Sequence, residues 1–247
     1  MPTAHSQGSR IRYETVGEGP TVILHHGGGF RLESWDLAGW VHPFEADHRV
    51  VTFDARGNGE SDKPTDPKDY ALDLLVADVV AVADACDAAS FHYLGFSLGA
   101  KAGWGLAASA QDRLDSIALI GAEPEANEQV SEEFTDLLRQ GPHALAAAMS
   151  QMWEMPEWAL DQQRRNDPEA QLAYFQAAWP DLSQVPAELR VPSLLICGTE
   201  DSTYDAMVRA ARTGNLTLVS LDGADHMSSF LSEQAREAYL RFLRKVG

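Results

Sequence analysis

The hydrophobic residues of the chain fall into short continuous runs separated by amphipathic stretches. Runs in which apolar and β-branched residues follow one another without alternation are typical of strands buried on both faces of a parallel sheet. A short edge strand and an alternating strand flank the Gln7-Gly8 turn and predict a hairpin before the first of these runs. The predicted strands span residues 3–6, 10–16, 21–24, 49–53, 91–95, 116–121, 193–198 and 216–221.

The amphipathic stretches predict helices over residues 70–85, 98–109, 202–212 and 229–246. Because these helices alternate with the strands, connections between neighbouring parallel strands would cross the sheet on one face or the other. The pattern therefore predicts an α/β protein with a mostly parallel, eight-stranded sheet that carries helices on both faces.

Residues 122–191 interrupt the alternation. They contain six prolines and several short helical patterns, and no run within them reads as a strand. We expect a core formed by residues 1–121 and 192–247, with a helical insertion over the edge of the sheet where ligands bind. The large apolar residues of the insertion either line a pocket or form its own small core; they are Met149, Met152, Trp153, Met155, Trp158, Tyr174, Phe175 and Trp179.

The composition narrows the range of partners. The 247 residues include 37 acidic and 19 basic side chains, a formal net charge of −18 at pH 7. Such a charge disfavours binding to nucleic acids or to anionic membranes. No signal-peptide pattern and no run of about 18 apolar residues is present, and the apolar surroundings of Cys86 and Cys197 predict free thiols. We expect a cytoplasmic monomer or homodimer that acts on a small molecule.

The predicted strand at residues 91–95 leads directly into Gly95-Phe96-Ser97-Leu98-Gly99, a G-x-S-x-G sequence. This spacing is typical of a nucleophile elbow, in which a serine at the tip of a tight strand-to-helix turn presents its hydroxyl. The glycines remove side chains that would clash where the strand and the helix pass close together. Ser97 is therefore the candidate nucleophile.

A serine hydroxyl needs a neighbouring base to become nucleophilic at neutral pH. His226 follows the last predicted strand and precedes the final helix, which places it at the same edge of the sheet as Ser97. Asp201 follows the strand at 193–198 and is the candidate carboxylate that orients the imidazole. Glu123, after the strand at 116–121, is the second candidate for that role.

A glycine-rich segment, residues 25–30, follows the strand at 21–24. Glycines let backbone N–H groups approach a ligand closely, so the N–H groups of Gly28 and Leu98 are the candidate oxyanion-hole donors. The adjacent pair His25-His26 does not predict a metal site, because neighbouring strand residues point to opposite faces and no third ligand has a suitable spacing. We expect neither a metal nor a cofactor.

Five segments, each placed after a predicted core strand, together resemble the α/β-hydrolase superfamily, and in particular its small serine hydrolases with a helical lid. The resemblance covers nearly the whole chain, and the order Ser, Asp, His along the sequence is that of the family. The segments are residues 26–29, 54–62, 95–99, 198–201 and 225–226.

The resemblance implies hydrolysis of a small, fairly apolar carboxylic ester or lactone through an acyl-enzyme, with residues 122–191 as the lid. It also implies that segment 54–62 is a structural loop in which Arg56 is a buried charge. Ala100 departs from the family pattern, in which a second glycine is common at this position. The residues that we expect to line the substrate pocket are Phe30, Phe96, Met149, Met152, Trp153 and Trp179.

Other functions stay open at this point. The same three residues cleave C–C bonds in hydrolases of meta-cleavage products, whose glycine-rich loop resembles residues 26–29, and cofactor-free perhydrolases share them. Some proteins of this fold keep the three residues and act as ligand receptors. A serine at position 97 disfavours the haloalkane dehalogenases and epoxide hydrolases, which need a carboxylate nucleophile.

Overall fold

Eight strands form one sheet in the computed structural model, which describes residues 1–126 and 130–247. The strands are β1 (Thr3–Ser6), β2 (Ser9–Val16), β3 (Thr21–His25), β4 (Arg49–Phe53), β5 (Phe91–Phe96), β6 (Leu114–Ile120), β7 (Ser193–Gly198) and β8 (Thr217–Leu221). They lie side by side in the order β1-β2-β4-β3-β5-β6-β7-β8. The pairs β1–β2 and β2–β4 are antiparallel, and all the others are parallel.

Helices cover both faces of this sheet. They are α1 (Ser34–Leu37), α2 (Leu72–Ala85), α3 (Leu98–Ser109), α4 (Glu132–Arg139), α5 (Pro142–Met152), α6 (Glu157–Arg164), α7 (Pro168–Gln176), α8 (Val185–Glu188), α9 (Tyr204–Gly214), α10 (His226–Leu231) and α11 (Glu233–Val246). On one face Val79, Leu106 and Met207 of α2, α3 and α9 join a buried apolar cluster. On the other face Phe230 and Tyr239 of α10 and α11 join a second one. The predicted α/β fold is confirmed.

Three of the four predicted helices have other bounds in the structure, and the helix predicted over residues 202–212 spans Tyr204–Gly214. The helix predicted from residue 70 begins at Leu72, because Pro67–Tyr70 forms a separate 3-10 turn. The final helix divides into α10 and α11 at Ser232, whose backbone is extended and whose hydroxyl accepts a hydrogen bond from the backbone N–H of Ala235 at 3.3 Å. A serine in this geometry caps a new helix and does not continue the old one.

Five helices, α4 to α8, lie between β6 and β7 in the part of the chain that is described. We call residues 130–191 the helical segment.

None of the helices within residues 1–126 and 130–247 has the length and apolar character needed to cross a lipid bilayer. Cys86 and Cys197 are free and buried, and burial raises the pKa of the Cys197 thiol to about 12.

The end of β5 and the start of α3 approach other backbone more closely than a side chain would allow. An ideal Cβ on Gly95 would lie 2.3 Å from the carbonyl oxygen of Gly99. An ideal Cβ on Gly99 would lie 2.0 Å from the carbonyl oxygen of His25. Both distances are far inside van der Waals contact, so only glycine fits at these two positions. Ala100 is fully buried next to them, and its methyl group is accommodated.

Replacing Gly99 with alanine is expected to lower the free energy of unfolding by about 3 kcal/mol, because the clashing atom belongs to rigid backbone and the packed core must shift. Gly8→Ala is the control: a Cβ there meets nothing within 4 Å, and only the positive φ of 85° opposes it. That strain costs about 1–2 kcal/mol. Urea unfolding measures both variants, and equal losses would contradict the close-approach explanation.

Candidate active site

Ser97 occupies the sharp turn between β5 and α3. Its φ of +52° lies in a region that non-glycine residues rarely adopt. Hydrogen bonds on both sides of the residue hold this conformation: its N–H donates to the carbonyl of Ile120 at 2.9 Å, and its carbonyl accepts from the N–H of Lys101 at 2.9 Å. The strained backbone lifts the Ser97 side chain into a cavity under the helical segment.

Three side chains from different elements join in one chain of hydrogen bonds. The Ser97 Oγ lies 3.0 Å from Nε2 of His226, the first residue of α10. Nδ1 of His226 lies 2.8 Å from Oδ2 of Asp201, in the loop after β7. Because a carboxylate only accepts, Nδ1 carries the proton of the neutral ring, and Nε2 is left to accept the Ser97 hydroxyl proton.

Asp201 is itself held from the other side. Its Oδ1 accepts hydrogen bonds from the backbone N–H and the hydroxyl of Thr203, both at 2.9 Å. Burial alone would raise the pKa of Asp201, but the hydrogen bonds from His226 and Thr203 outweigh it and hold that pKa below its ordinary value. The carboxylate is therefore charged at neutral pH and fixed in position beside the imidazole.

Glu123, the second candidate for this role, has another partner. Its carboxylate forms an ion pair of 2.8 Å with Nζ of Lys101, one turn after Ser97 on α3. The structure thus brings Asp201 to His226 and directs Glu123 to a lysine.

The glycine-rich loop after β3 lines the same cavity as Ser97, through Gly27 and Gly28. Nε2 of His26 accepts a hydrogen bond from the N–H of Ala55 at 2.9 Å, so Nδ1 bears the proton and donates to the Gly27 carbonyl at 2.7 Å. Burial lowers the pKa of His26, which favours this neutral form. The N–H of Phe30 donates to the same carbonyl at 3.1 Å.

These contacts fix the peptide group between Gly27 and Gly28. In a trans peptide the carbonyl and the N–H point in opposite directions, so the N–H of Gly28 points away from His26. Neither this N–H nor that of Leu98 donates a hydrogen bond to another group in the described part of the chain. Leu98 opens α3, where backbone N–H groups have no partner within the helix. Both N–H groups therefore lack an internal partner among the described residues; Gly28 lines the cavity, and Leu98 directly follows Ser97, which also lines it.

His25 does not join the site. Its buried Nδ1 lies 2.8 Å from the hydroxyl of Tyr93, and burial holds its pKa well below the ordinary value. Arg56 forms a buried ion pair of 2.7 Å with Asp78 of α2. The segment at residues 54–62 contacts the glycine-rich loop through Ala55 and Asn58, which are hydrogen-bonded to His26 and Gly29.

The cavity beside Ser97 has a volume of about 210 Å³ and apolar walls. No residue that lines it in the described part of the chain is Asp, Glu, Lys or Arg. The lining residues are Gly27, Gly28, Phe30, Phe96, Ser97, Phe134, Leu137, Leu145, Ala148, Met149, Met152, Trp153, Gln163, Tyr174, Phe175, His226 and Met227.

Five of the six predicted pocket residues line this cavity, and Trp179 does not. The Trp179 indole N–H donates to the carbonyl of Tyr70 at 2.9 Å, and its ring packs 5.6 Å from that of Tyr174. Met155 and Trp158 do not line the cavity either: both pack against the second core cluster, and the Trp158 ring lies 6.0 Å from that of Phe30. These three side chains anchor the helical segment, because each meets a buried apolar surface of the core.

Several lining residues were missing from the prediction, and some carried a usable signal. Leu145, Ala148, Met149 and Met152 follow the i, i+3, i+4, i+7 spacing of one face of a helix, here α5, and all four line the cavity. Phe134 and Leu137 repeat the i, i+3 spacing on α4. No local pattern indicates Gln163, whose position depends on how α6 packs.

A family described as the α/β hydrolase fold has a sequence model that matches residues 20–167, more than half of the chain. The chain belongs to the α/β-hydrolase fold family. This α/β hydrolase is 24% identical to a protein of Azorhizobium caulinodans that bears the name of a carbamate hydrolase, over all of this chain and 99% of the relative.

Solved structures extend the comparison. The enol-lactonase of Burkholderia xenovorans is 27% identical, with a TM-score of 0.88 over 98% of this α/β hydrolase and 100% of that chain. A thermophilic esterase of Thermogutta terrifontis, 22% identical, has a TM-score of 0.82 over 99% and 97% of the two chains. At that identity the second likeness shows the shared fold alone.

Asp201→Asn is expected to reduce kcat for an ester substrate about 10⁴-fold, because an amide neither fixes the imidazole tautomer nor stabilises the imidazolium. Glu123→Gln is the matched control, since this carboxylate lies near the same edge of the sheet with Lys101 as its partner. Breaking a partly exposed ion pair should change kcat by no more than about threefold. Steady-state kinetics of both variants measure the difference, and the opposite ranking would assign the orienting role to Glu123.

Proposed function

We propose that this α/β hydrolase is a serine hydrolase that cleaves a small, uncharged carboxylic ester or lactone through an acyl-enzyme. The observation that carries the proposal is the continuous hydrogen-bond chain from Asp201 through His226 to Ser97, which ends at the wall of an apolar cavity. A serine whose proton faces a correctly protonated imidazole is the arrangement that nucleophilic attack on a carbonyl requires.

In the first half of the reaction Ser97 Oγ attacks the carbonyl carbon while Nε2 of His226 takes its proton. The carbonyl oxygen becomes an oxyanion that accepts hydrogen bonds from the N–H groups of Gly28 and Leu98. Collapse of the tetrahedral intermediate breaks the bond to the leaving alcohol, which receives the proton from His226. Asp201 stabilises the transient imidazolium.

In the second half a water molecule gives a proton to Nε2 of His226 and attacks the acyl carbon. The second tetrahedral intermediate uses the same two N–H donors. Its collapse releases the carboxylic acid and returns the proton to Ser97. An apolar cavity favours this sequence, because hydrogen bonds to developing charge are stronger in a medium of low dielectric constant.

The helical segment is proposed as the lid of the site. Its helices α4, α5 and α7 contribute Phe134, Met149 and Phe175 to the cavity, opposite the residues that belong to the sheet. The names of two relatives, a carbamate hydrolase and an enol-lactonase, refer to substrates with an acyl carbon. They support the reaction class and leave the identity of the acyl group to experiment.

Ser97→Ala is expected to reduce turnover of 4-nitrophenyl hexanoate at least about 10⁴-fold, because no other nucleophile replaces the hydroxyl. Circular dichroism and urea unfolding serve as controls and should match the wild-type protein within about 1 kcal/mol. Mass spectrometry of the wild-type protein after reaction with a fluorophosphonate should find the adduct on Ser97. Unchanged turnover in Ser97→Ala would refute the serine-hydrolase assignment.

The uncharged lining predicts discrimination against anionic acyl groups. Hexanoate and the adipate monoester of 4-nitrophenol differ only in a terminal carboxylate, which would be buried without a partner in this cavity. A cost of about 3 kcal/mol corresponds to a kcat/KM about 10²-fold lower for the adipate monoester. Equal values of kcat/KM for the two esters would contradict an uncharged substrate.

A vinylogous diketone in the same series tests C–C bond cleavage. If the protein turned over that compound faster than the esters, C–C bond hydrolysis would replace ester hydrolysis as the proposed activity.

A further inference from the structure

Three buried side-chain amides lie at the end of α6 and in the turn that follows it. Gln162, Gln163 and Asn166 are only 3%, 1% and 7% exposed, although residues of these types usually face solvent. A buried amide is costly unless it finds hydrogen-bond partners. In each case the partner is the backbone after β3, more than 130 residues earlier in the chain.

Two of the three amides bind the oxyanion loop, residues 27–29. Nε2 of Gln163 donates to the carbonyl of Gly28 at 3.1 Å, and Nδ2 of Asn166 donates to the carbonyl of Gly29 at 2.8 Å. Asn166 also donates to Oε1 of Gln163 at 3.4 Å. On the core side, Oδ1 of Asn58 accepts from the N–H of Gly29 at 3.1 Å. The peptide group between Gly28 and Gly29 is thus held at its oxygen by the helical segment and at its nitrogen by the core.

The partners of Gln163 and Asn166 determine the orientation of the two side-chain amide groups. The amide nitrogen of each residue faces a backbone carbonyl oxygen. Rotating the Gln163 amide by 180° would place its oxygen against the carbonyl oxygen of Gly28. Gly29 leaves room for the contact, because a Cβ there would lie 2.2 Å from Oε1 of Gln163. The glycine and the glutamine therefore fit as a pair across the interface between the loop and α6.

Such support matters because a glycine loop has little conformational preference of its own. The N–H of Gly28 points at a ligand only if the peptide groups on both sides of Gly28 are fixed. The core fixes the first of them through His26 and Phe30. The carbonyl of the second is bound by Gln163, from the helical segment.

We propose that Gln163 and Asn166 are positioning residues that hold the oxyanion loop in its catalytic conformation, so that the oxyanion hole is complete only when the helical segment is docked on the core. This inference rests on the proposed serine-hydrolase function. It gives α6 a role in the chemical step as well as in enclosing the substrate.

Kinetics with a matched control test the inference. Gln163→Met keeps the length of the side chain and removes the amide without adding a charge, and Gln163→Leu also shortens the side chain. Gln162→Leu is the control, because Gln162 is an equally buried amide on the same helix and accepts from the N–H of Arg31, outside residues 27–29. Loss of one direct oxyanion donor costs about 10²–10³ in kcat. Loss of its support should lower kcat about 10–10²-fold in both Gln163 variants, with KM changed by less than about threefold, and should leave kcat of Gln162→Leu unchanged.

A transition-state analogue separates positioning from a general loss of structure. A trifluoromethyl ketone that matches the substrate forms a tetrahedral oxyanion on the serine, and the corresponding secondary alcohol does not. In Gln163→Met the Ki of the ketone should rise by the factor by which kcat falls, whereas the Ki of the alcohol should stay the same. A parallel rise of both Ki values, or no rise in either, would overturn the positioning role.

Amide hydrogen exchange provides a readout that needs no turnover. Exchange at Gly29 and Phe30 should accelerate at least about tenfold in Gln163→Leu and Asn166→Leu, because loop opening costs less without these contacts. Gln162→Leu should leave both rates unchanged. Unchanged exchange rates in the Gln163 and Asn166 variants would overturn the inference.

The proposed function is tested separately. Absence of ester turnover in the wild-type protein would refute the serine-hydrolase function, and the exchange rates would still decide whether α6 holds the loop.

Discussion

The close contact between the start of α3 and the end of β3 is the constraint on which the rest of the site depends. The N–H of Gly99 donates to the carbonyl of His26 at 3.2 Å, and the missing side chain lets the helix approach the backbone of His25. This contact brings the turn that carries Ser97 beside the glycine loop. It is formed at the expense of a strained Ser97 backbone, which costs about 1–3 kcal/mol and persists because the surrounding hydrogen bonds leave no alternative.

The hydrogen bonds that start at the Ser97 hydroxyl all lead to the carboxylate of Asp201. The hydroxyl of Ser97 donates toward His226, His226 donates to Asp201, and Thr203 donates to Asp201 from the opposite side. Because Asp201 can only accept, the direction of every bond follows from its charge. The aromatic ring of Phe96, 5.0 Å from the imidazole, keeps the ring in place without competing for its nitrogens. The partners of its two nitrogens therefore select one tautomer of the neutral His226 ring before any substrate arrives.

The helical segment combines two tasks in one surface. Its apolar side chains enclose a cavity free of charged residues among those described, and its amides bind the glycine loop. Neutral amides suit this position, because they donate strong hydrogen bonds to carbonyls without introducing a charge that would attract water or repel an apolar substrate. Gln163 belongs to both surfaces, since it lines the cavity and binds the carbonyl of Gly28. The proposed enclosure of the substrate and the proposed support of the oxyanion loop would thus be physically linked.

The sequence by itself determined the strands, the fold class and the candidates Ser97, His226 and Asp201. These signals are local: hydrophobic periodicity spans a few residues, and the carboxyl ends of parallel strands meet at one edge wherever they lie in the chain. Only the tertiary structure distinguishes Asp201 from Glu123, because it places Asp201 against His226 and Glu123 against Lys101. It also decided that Trp179 anchors the helical segment and that Gln163 reaches the glycine loop. The part of α6 that meets the glycine loop depends on partners far away in the sequence, and no local pattern indicates Gln163.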